Sequence, residues 1–390
     1  MGIKVNGYPE MGKDYKVVPI SGYVIKVASR CNLNCSYCYE YNMGDSSWRK
    51  MPKYMDEEVF SKTLYRIKSH CDDHKFDNIS ISLHGGEPLL IGHERLASYL
   101  ALAAQILGAY RLTLGIQSNG LLLDDAYLAL LREYGVTLGI SLDGLPNDND
   151  VFRFYHNGKG SGEEVASKLR MLQGSPVFGG ILSVINVDAH PVQTWRYLTE
   201  FEPPVVDFLL PHAHWGNTIS EEKMQRIASH GDWLIAIFDD WYGGYRQDIR
   251  IRFFEEIIYR VFGHPGSLES LGLEEVSLVT VGVNGDYEQV DTMKSVYPGA
   301  HTMSLNVNQH SLNEVLKHQN VMARQAGITG ISETCKNCSL VSICGGGYYP
   351  HRYSEEKGFN NPSVYCAALT NLITHIQRRI KRDLENKSHA

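Results

Sequence analysis

This 390-residue chain has no run of apolar residues long enough to cross a membrane. Its most apolar stretch, Leu96 to Tyr110, is broken by Ser98, Gln105 and Gly108. It falls short of the roughly 20 residues a span needs and reads as a buried helix. Met1 to Lys16 lacks the apolar core of a secretory signal. Gly2 follows Met1, but Asn6 stands where a myristoylation signal wants Ser or Thr. These absences predict a cytoplasmic protein without a membrane partner. Positive charge is also short: 37 Lys and Arg against 44 Asp and Glu leave a net charge of −7. That excludes the broad basic surface nucleic acid requires. The run Arg378-Arg379-Ile380-Lys381-Arg382 is diluted by Asp383 and Glu385 and reads as a solvated helix face. Neither internal repeats nor low-complexity segments occur.

Cysteine is present, and its distribution is informative. There are eight, in a chain with no export signal, which argues against a disulfide framework. Cys71 sits alone on a predicted helix and reads as inert. The other seven form two tight groups near opposite ends, a pattern that points to metal. Apolar residues make up 43% of the chain, enough for a sizeable core.

Short β-branched runs alternate with amphipathic stretches. Predicted strands are Tyr23–Val27, Asn78–Leu83, Leu112–Gln117, Thr137–Ser141, Gly179–Val184 and Val205–Leu210. Predicted helices lie near Asp56–Cys71, Leu96–Leu107, Asp124–Tyr134, Gly162–Leu172 and Val192–Phe201. Repeated strand–helix–strand units imply a parallel sheet with helices outside, as an open barrel or a doubly wound sheet. Every strand is followed by Gly or polar residues, among them His84-Gly85-Gly86-Glu87, Ser118-Asn119-Gly120, Leu142-Asp143-Gly144 and Pro211-His212-Ala213-His214. Parallel barrels carry their chemistry at this end of the strands, so one face should hold the whole site. Beyond residue 215, helices near Glu221–Trp241 and Phe253–Phe262 precede a predicted hairpin at Asn284-Gly285 and a final helix over Ala367–Glu385.

The first group, Cys31, Cys35 and Cys38, follows the first strand. Three thiolates at this spacing can ligate three corners of an iron–sulfur cube and leave the fourth iron open; a zinc site borrowing a distant His is the alternative. With Tyr37 before the third cysteine, the segment resembles the signature of the radical S-adenosylmethionine (SAM) superfamily. Gly85-Gly86-Glu87-Pro88 resembles that superfamily's Gly-Gly-Glu-Pro motif, which receives the amino group of SAM. Glycines let backbone approach, and backbone carbonyls or Glu87 can accept from an ammonium. The resemblance further implies that Ser141 and Arg153 hold the methionine carboxylate, that Ser118 and Asn119 lie near the ribose, and that Leu182 flanks adenine. The implied fold is α/β, a partial (β/α)6 TIM barrel.

Cys335-x-x-Cys338, then Cys344 and Cys366, form the second group. By spacing alone this is a common structural zinc pattern. The segment instead resembles the C-terminal SPASM extension of radical enzymes that modify peptides. Three of the seven SPASM cysteines are absent: Tyr348 stands at one position, and Gly285 to Asp291 lacks the upstream pair. The four that remain match the ligand set of one auxiliary [4Fe–4S] cluster. The implied domains are an N-terminal extension (1–21), the radical barrel (22–215), a helical bridge (216–273) and an auxiliary-cluster domain (274–390).

Longer stretches resemble the FxsB-type maturases, which join an aromatic ring to a β-carbon within a ribosomally made peptide (a cyclophane). They are Val27-Ala28-Ser29-Arg30-Cys31, Leu209-Leu210-Pro211-His212-Ala213, Tyr287-Glu288-Gln289-Val290-Asp291, Cys344 to Tyr353, and Asn361 to Cys366. That resemblance implies abstraction of a β-hydrogen, ring attack, loss of an electron to the auxiliary cluster and loss of a proton to a side chain. Candidate bases are His212, His214, Glu288 and Asp291. Implied partners are a precursor peptide and an electron donor such as flavodoxin or ferredoxin. Only 30 residues precede Cys31, too few for a leader-binding module. Sulfatase maturation, oxidising a protein Cys or Ser, is the enzymatic alternative, and the missing cysteines argue against it. A metal-binding scaffold without turnover is the other.

Overall fold

The structure is a computed structural model and describes residues 17–216 and 220–388. Most of the N-terminal extension, including Gly2, Asn6 and the segment read for a signal peptide, lies outside the described residues.

Six parallel strands run in sequence order, β1 (Gly22–Ala28), β2 (Asn78–Gly85), β3 (Arg111–Ser118), β4 (Thr137–Ser141), β5 (Phe178–Val184) and β6 (Val206–Leu209). The crossovers are α1 (Glu57–His74), α2 (His93–Leu107), α3 (Asp125–Glu133), α4 (Gly162–Leu172) and α5 (Pro191–Thr199). Each helix starts and stops for a local reason or buries one apolar stripe. Asp56 caps α1 through Glu58 N–H and Asp124 caps α3 through Tyr127 N–H. Lys75, left-handed at φ 56°, ends α1. In α4, Val165, Ala166, Leu169 and Leu172 face the sheet at helical spacing. The strands bury Ile25, Val27, Ile79, Ile81, Leu83, Ile116, Leu138 and Ile140. This is the α/β partial barrel expected, with β4 and α4 ending where the pattern put them.

The C-terminal region joins the same sheet rather than standing apart from it. β7 (Leu278–Val281) pairs in parallel with β1, and β8 (Asp286–Glu288) and β9 (Thr302–Asn306) follow antiparallel, giving the order β6-β5-β4-β3-β2-β1-β7-β8-β9. The predicted hairpin turns at Gly285, with φ +84°. Helices α6 (Glu221–Tyr242) and α7 (Arg252–Val261) lead from β6 to β7, and α8 (Cys366–Ser388) packs along α6. Among the described residues no helix is long and apolar enough to cross a membrane.

Candidate active site

The C-terminal ends of the strands open into one cavity of about 500 Å³, within the range of small-molecule sites. Cys31, Cys35, Cys38, Tyr37, Gly85, Gly86, Glu87, Ser118, Asn119, Ser141, Arg153, Leu182, His212 and Asp291 all line it. Pro88, His214 and Glu288 do not. Pro88 opens the 3-10 turn Pro88–Ile91 behind the motif.

The cysteine loop is held from two sides. Asn34 N–H donates to Phe154 O (2.8 Å) and Ser36 N–H to Phe152 O (2.9 Å), tying it to the segment after β4. Gly86 N–H donates to Ala28 O (2.8 Å) and Glu87 N–H to Arg30 O (2.9 Å). That contact is why the glycines are needed. A Cβ on Gly85 would stand 2.2 Å from Ala28 O, and one on Gly86 would stand 1.9 Å from Tyr41 Oη and 2.4 Å from Arg30 O. The close approach inferred for a ligand is therefore made first to the protein's own cysteine loop.

Glu87 also has a different use from one of those inferred. Its carboxylate is 1% exposed and accepts from Leu89 N–H (3.0 Å), Ser118 Oγ (2.7 Å) and Asn119 N–H (2.8 Å). It locks the end of β3 to the end of β2, which leaves backbone carbonyls as the acceptors for an ammonium. Burial raises its carboxyl pKa, and these three donors work in the opposite direction. Asn119 reaches Asn32 Oδ1 (2.8 Å) and Cys31 Sγ (3.7 Å).

Arg153 is buried. It donates to Tyr37 Oη (2.8 Å), which donates to Asp143 Oδ2 (2.6 Å), while the buried Arg153 Nε has no partner. Ser141 Oγ accepts from Gln117 (2.9 Å), so its own proton remains free to donate. A guanidinium with an unshared N–H and a hydroxyl donor on one wall suit a carboxylate. This donor set fits the methionine end of SAM. The cysteines are unpaired thiols. Burial, then Glu87, pushes Cys31 up to about 12, and burial, then Cys35, pushes Cys38 up to about 12. Metal binding would displace those protons. Among the described residues no trio of His, Cys, Asp or Glu surrounds one point closely enough to hold a single ion. A cube needs no such convergence, because each thiolate meets a different iron.

The second cysteine group is also brought together. Cys344 is pushed up to about 11 by burial and then by Cys366, with Cys335 adding to it; Cys366 is raised by burial, then Cys335, with Cys338 also acting. All four thiols are thus within electrostatic reach. Arg352 anchors the intervening loop by donating to Gly345 O (2.9 Å) and Gly347 O (2.9 Å), and Asn361 donates to Arg352 O (2.9 Å).

Of the four candidate bases, two reach the cavity. Asp291 accepts from Tyr39 Oη (2.7 Å) and lies 3.7 Å from Lys26 and from His84. Burial opposes its ionisation, but Lys26 and His84 hold its pKa well below the usual range. His212 packs edge-on to Tyr39, with ring centroids 5.4 Å apart, and burial depresses it to about 4, so it is neutral. The other two are placed elsewhere. His214 accepts from Gly216 N–H (3.1 Å) and packs on Tyr353. Glu288 lies in a buried ion network, 3.4 Å from Lys26 and 3.6 Å from Lys294, and Glu40 bonds both lysines. Sequence reasoning passed over Lys26, Glu40, Asp143, Gln117 and His351. Lys26 had a signal: a lone Lys inside an apolar strand. His351 stood in a quoted stretch without a role.

Residues 25–201 match the family model described as the Radical SAM superfamily. Over these residues the chain is similar to that superfamily. The chain is 25% identical over 369 residues to the cysteine-type anaerobic sulfatase-maturating enzyme of Clostridium perfringens strain 13, covering 89% of this chain and 94% of that protein. It is 23% identical over 380 residues to the serine-type enzyme of Bacteroides thetaiotaomicron, covering 88% of this chain and 86% of that protein. Among solved structures, native anSMEcpe with bound AdoMet and the Cp18Cys peptide superposes with TM-score 0.78 at 19% identity, covering 94% of this chain and 99% of that one. Streptococcus suis SuiB gives 0.62 at 16% identity, covering 90% and 77%. These superpositions bear on the fold of the parallel-strand region and its C-terminal extension.

The expected cyclophane chemistry is overturned by these relatives. Matches spanning nearly the whole chain include sulfatase-maturating enzymes of both cysteine and serine types, despite the three absent cysteines. The physical reason lies in what the misleading stretches do. Gly345, Gly347, Arg352 and Asn361 build the loop that carries the second cysteine group, and such scaffolding carries no information about which bond forms next.

Proposed function

We propose that the chain oxidises the β-carbon of a cysteine or serine side chain in a peptide or protein to an aldehyde, the reaction class of sulfatase maturation. Supporting the reading is one cavity that joins the cysteine triplet, the Arg153–Ser141 wall and the side chains His212 and Asp291. When bound and reduced, a [4Fe–4S] cluster with SAM supplies a 5′-deoxyadenosyl radical that abstracts hydrogen. In this reading Cys31, Cys35 and Cys38 hold that cluster, and Arg153 and Ser141 bind the methionine carboxylate. Glu87 fixes Ser118 and Asn119 beside the ribose, and Leu182 flanks the adenine. Cys335, Cys338, Cys344 and Cys366 hold an auxiliary [4Fe–4S] cluster. Leu209, Leu210 and Phe253 give the same cavity apolar wall against which a substrate side chain can pack. A flavodoxin or ferredoxin supplies the electron.

The test is anaerobic incubation of iron-reconstituted protein with SAM, dithionite and two peptides of sulfatase type, one bearing Cys and one Ser. 5′-Deoxyadenosine and a hydrazide-trapped aldehyde at the Cys or Ser position are expected. 5′-Deoxyadenosine without aldehyde from either peptide would refute the reading.

A further inference from the structure

Four arginines are buried among the described residues: Arg153, Arg260, Arg324 and Arg352. A guanidinium keeps its proton inside a protein, so each is a buried cation that needs an anion. Arg260 pairs with Glu256 and Glu274, and Arg324 with Glu269. Arg153 lines the cavity, where the reading above gives it the carboxylate of SAM. Arg352 has no such partner. Every hydrogen bond it makes among the described residues goes to backbone: Nε to Gly347 O (2.9 Å), and Nη2 to Gly345 O (2.9 Å) and Gly347 O. Burial works against its charge, while Tyr349, Cys344, Cys335 and Glu269 favour it, in that order. Glu269 is already engaged by Arg324.

The missing anion lies beside it. A Cβ on Gly346 would stand 3.3 Å from Arg352 Cζ and 3.5 Å from Cys335 Sγ, so no more than about 7 Å separates the guanidinium carbon from that sulfur. The backbone between them is arranged to the same end. Gly345, Gly346 and Gly347 are all left-handed, at φ 61°, 84° and 74°. Arg352 takes the carbonyls of the outer two, and Ser363 N–H takes that of Gly346 (3.1 Å). Gly346 N–H is turned to Cys344, and Leu340 N–H donates to Cys338 Sγ (3.4 Å). The sulfurs therefore meet N–H groups and a cation, while the glycine carbonyls are occupied elsewhere.

We propose that Arg352 is the counter-ion of an auxiliary [4Fe–4S] cluster at Cys335, Cys338, Cys344 and Cys366 and raises its reduction potential. The assignment rests on the ligand set proposed above and not on which substrate bond is formed. An oxidised cube on four thiolates is a dianion, and one added electron makes it a trianion. A fixed cation at this range and N–H groups facing the sulfurs both favour the reduced form. That suits a cluster receiving the electron lost in an oxidation. A unit charge about 7 Å away, at an effective dielectric constant of about 20, moves the reduction equilibrium about fiftyfold. For one electron that is about 100 mV, at about 59 mV per tenfold.

The test is a redox titration followed by electron paramagnetic resonance. It uses the full reconstituted chain carrying Cys35→Ala, in which only the second cluster loads. Arg352→Gln and Arg352→Met remove the charge; Arg352→Lys keeps it and gives up the planar fork. The Gln and Met variants should each lower the midpoint by about 100 mV, the fiftyfold above, and the Lys variant should stay at the parent value. Iron per chain covers the case in which a variant does not load. Loss of the cluster from the Gln and Met variants with retention in the Lys variant supports the assignment, because the charge is then what holds the anion. An unmoved midpoint in a loaded Gln or Met variant overturns it, as does a midpoint lowered equally in all three. Loss of the cluster from all three also overturns it and marks Arg352 as loop scaffold. A parent protein with no iron at the second group, or with zinc there, refutes the ligand set itself.

Discussion

Replacing Glu87 by Gln separates two roles for one carboxylate. If Glu87 received the amino group of SAM, the substitution would weaken binding and leave the empty protein as stable as before. The geometry says otherwise. Three donors converge on the carboxylate from Leu89, Ser118 and Asn119 at a site 1% exposed. A Gln oxygen can keep Leu89 N–H and Ser118 Oγ, but its NH2 then faces Asn119 N–H. One bond is lost and two buried donors oppose each other, at about 1–3 kcal/mol for each unsatisfied group. Relief of a buried charge offsets part of this, since burial raises the Glu87 pKa in the fold. The net expectation is a loss of about 2 kcal/mol, read from urea midpoints of the unreconstituted protein at pH 7. The sign with pH follows. A raised carboxyl pKa means wild-type stability from this group declines as pH rises above about 4.3, whereas an amide does not titrate. The deficit of E87Q should therefore shrink between acid and neutral pH. A variant with the wild-type midpoint and weakened SAM binding would refute the internal-lock reading.

Lys26→Met should be more damaging, because Lys26 is 3% exposed and its loss strands Glu40, Glu288 and Asp291; removing one partner of a buried ion network costs about 3–5 kcal/mol, measured by the same denaturation. Gly86→Ala drives a Cβ into Arg30 O and Tyr41 Oη and should cost about 1–3 kcal/mol together with cluster loading, seen as lost iron–sulfur absorbance. Reconstituted wild type should hold about eight iron per chain as two cubes; Cys35→Ala should halve this and abolish 5′-deoxyadenosine, while Cys366→Ala should halve it and spare SAM cleavage. A single cube's worth of iron in wild type, or zinc, would contradict the two-cluster assignment. Acid should loosen the fold in a defined window: His70 accepts from Ile20 N–H and is depressed to about 4, as is His212. Stability that depends on their neutral forms is complete above the unfolded value near 6.5 and is lost as pH falls towards about 4. A flat urea midpoint across that range would contradict it.

The sequence by itself determined the six parallel strands, their crossover helices, the two cysteine groups and the face on which the cavity opens. These are local properties: hydrophobic period, cap and turn residues, and ligands a few residues apart. The boundaries of β4 and α4 were legible to the residue for that reason. What a motif residue touches was not. Gly86 answers to Arg30 and Tyr41, 56 and 45 positions upstream by number. Glu87 answers to Asn119, 32 positions downstream. The base candidates looked equivalent along the chain, and only packing separated His212 and Asp291, in the cavity, from His214 and Glu288, outside it. Only the tertiary structure could join β7 to β1, bury Lys26 among three carboxylates, and pack the ring of His351 against Tyr348 and Tyr365 with no hydrogen-bond partner at either nitrogen. Those are contacts between segments far apart in sequence. Their energies depend on burial and on the angle and distance of a partner, and no spacing along the chain encodes them.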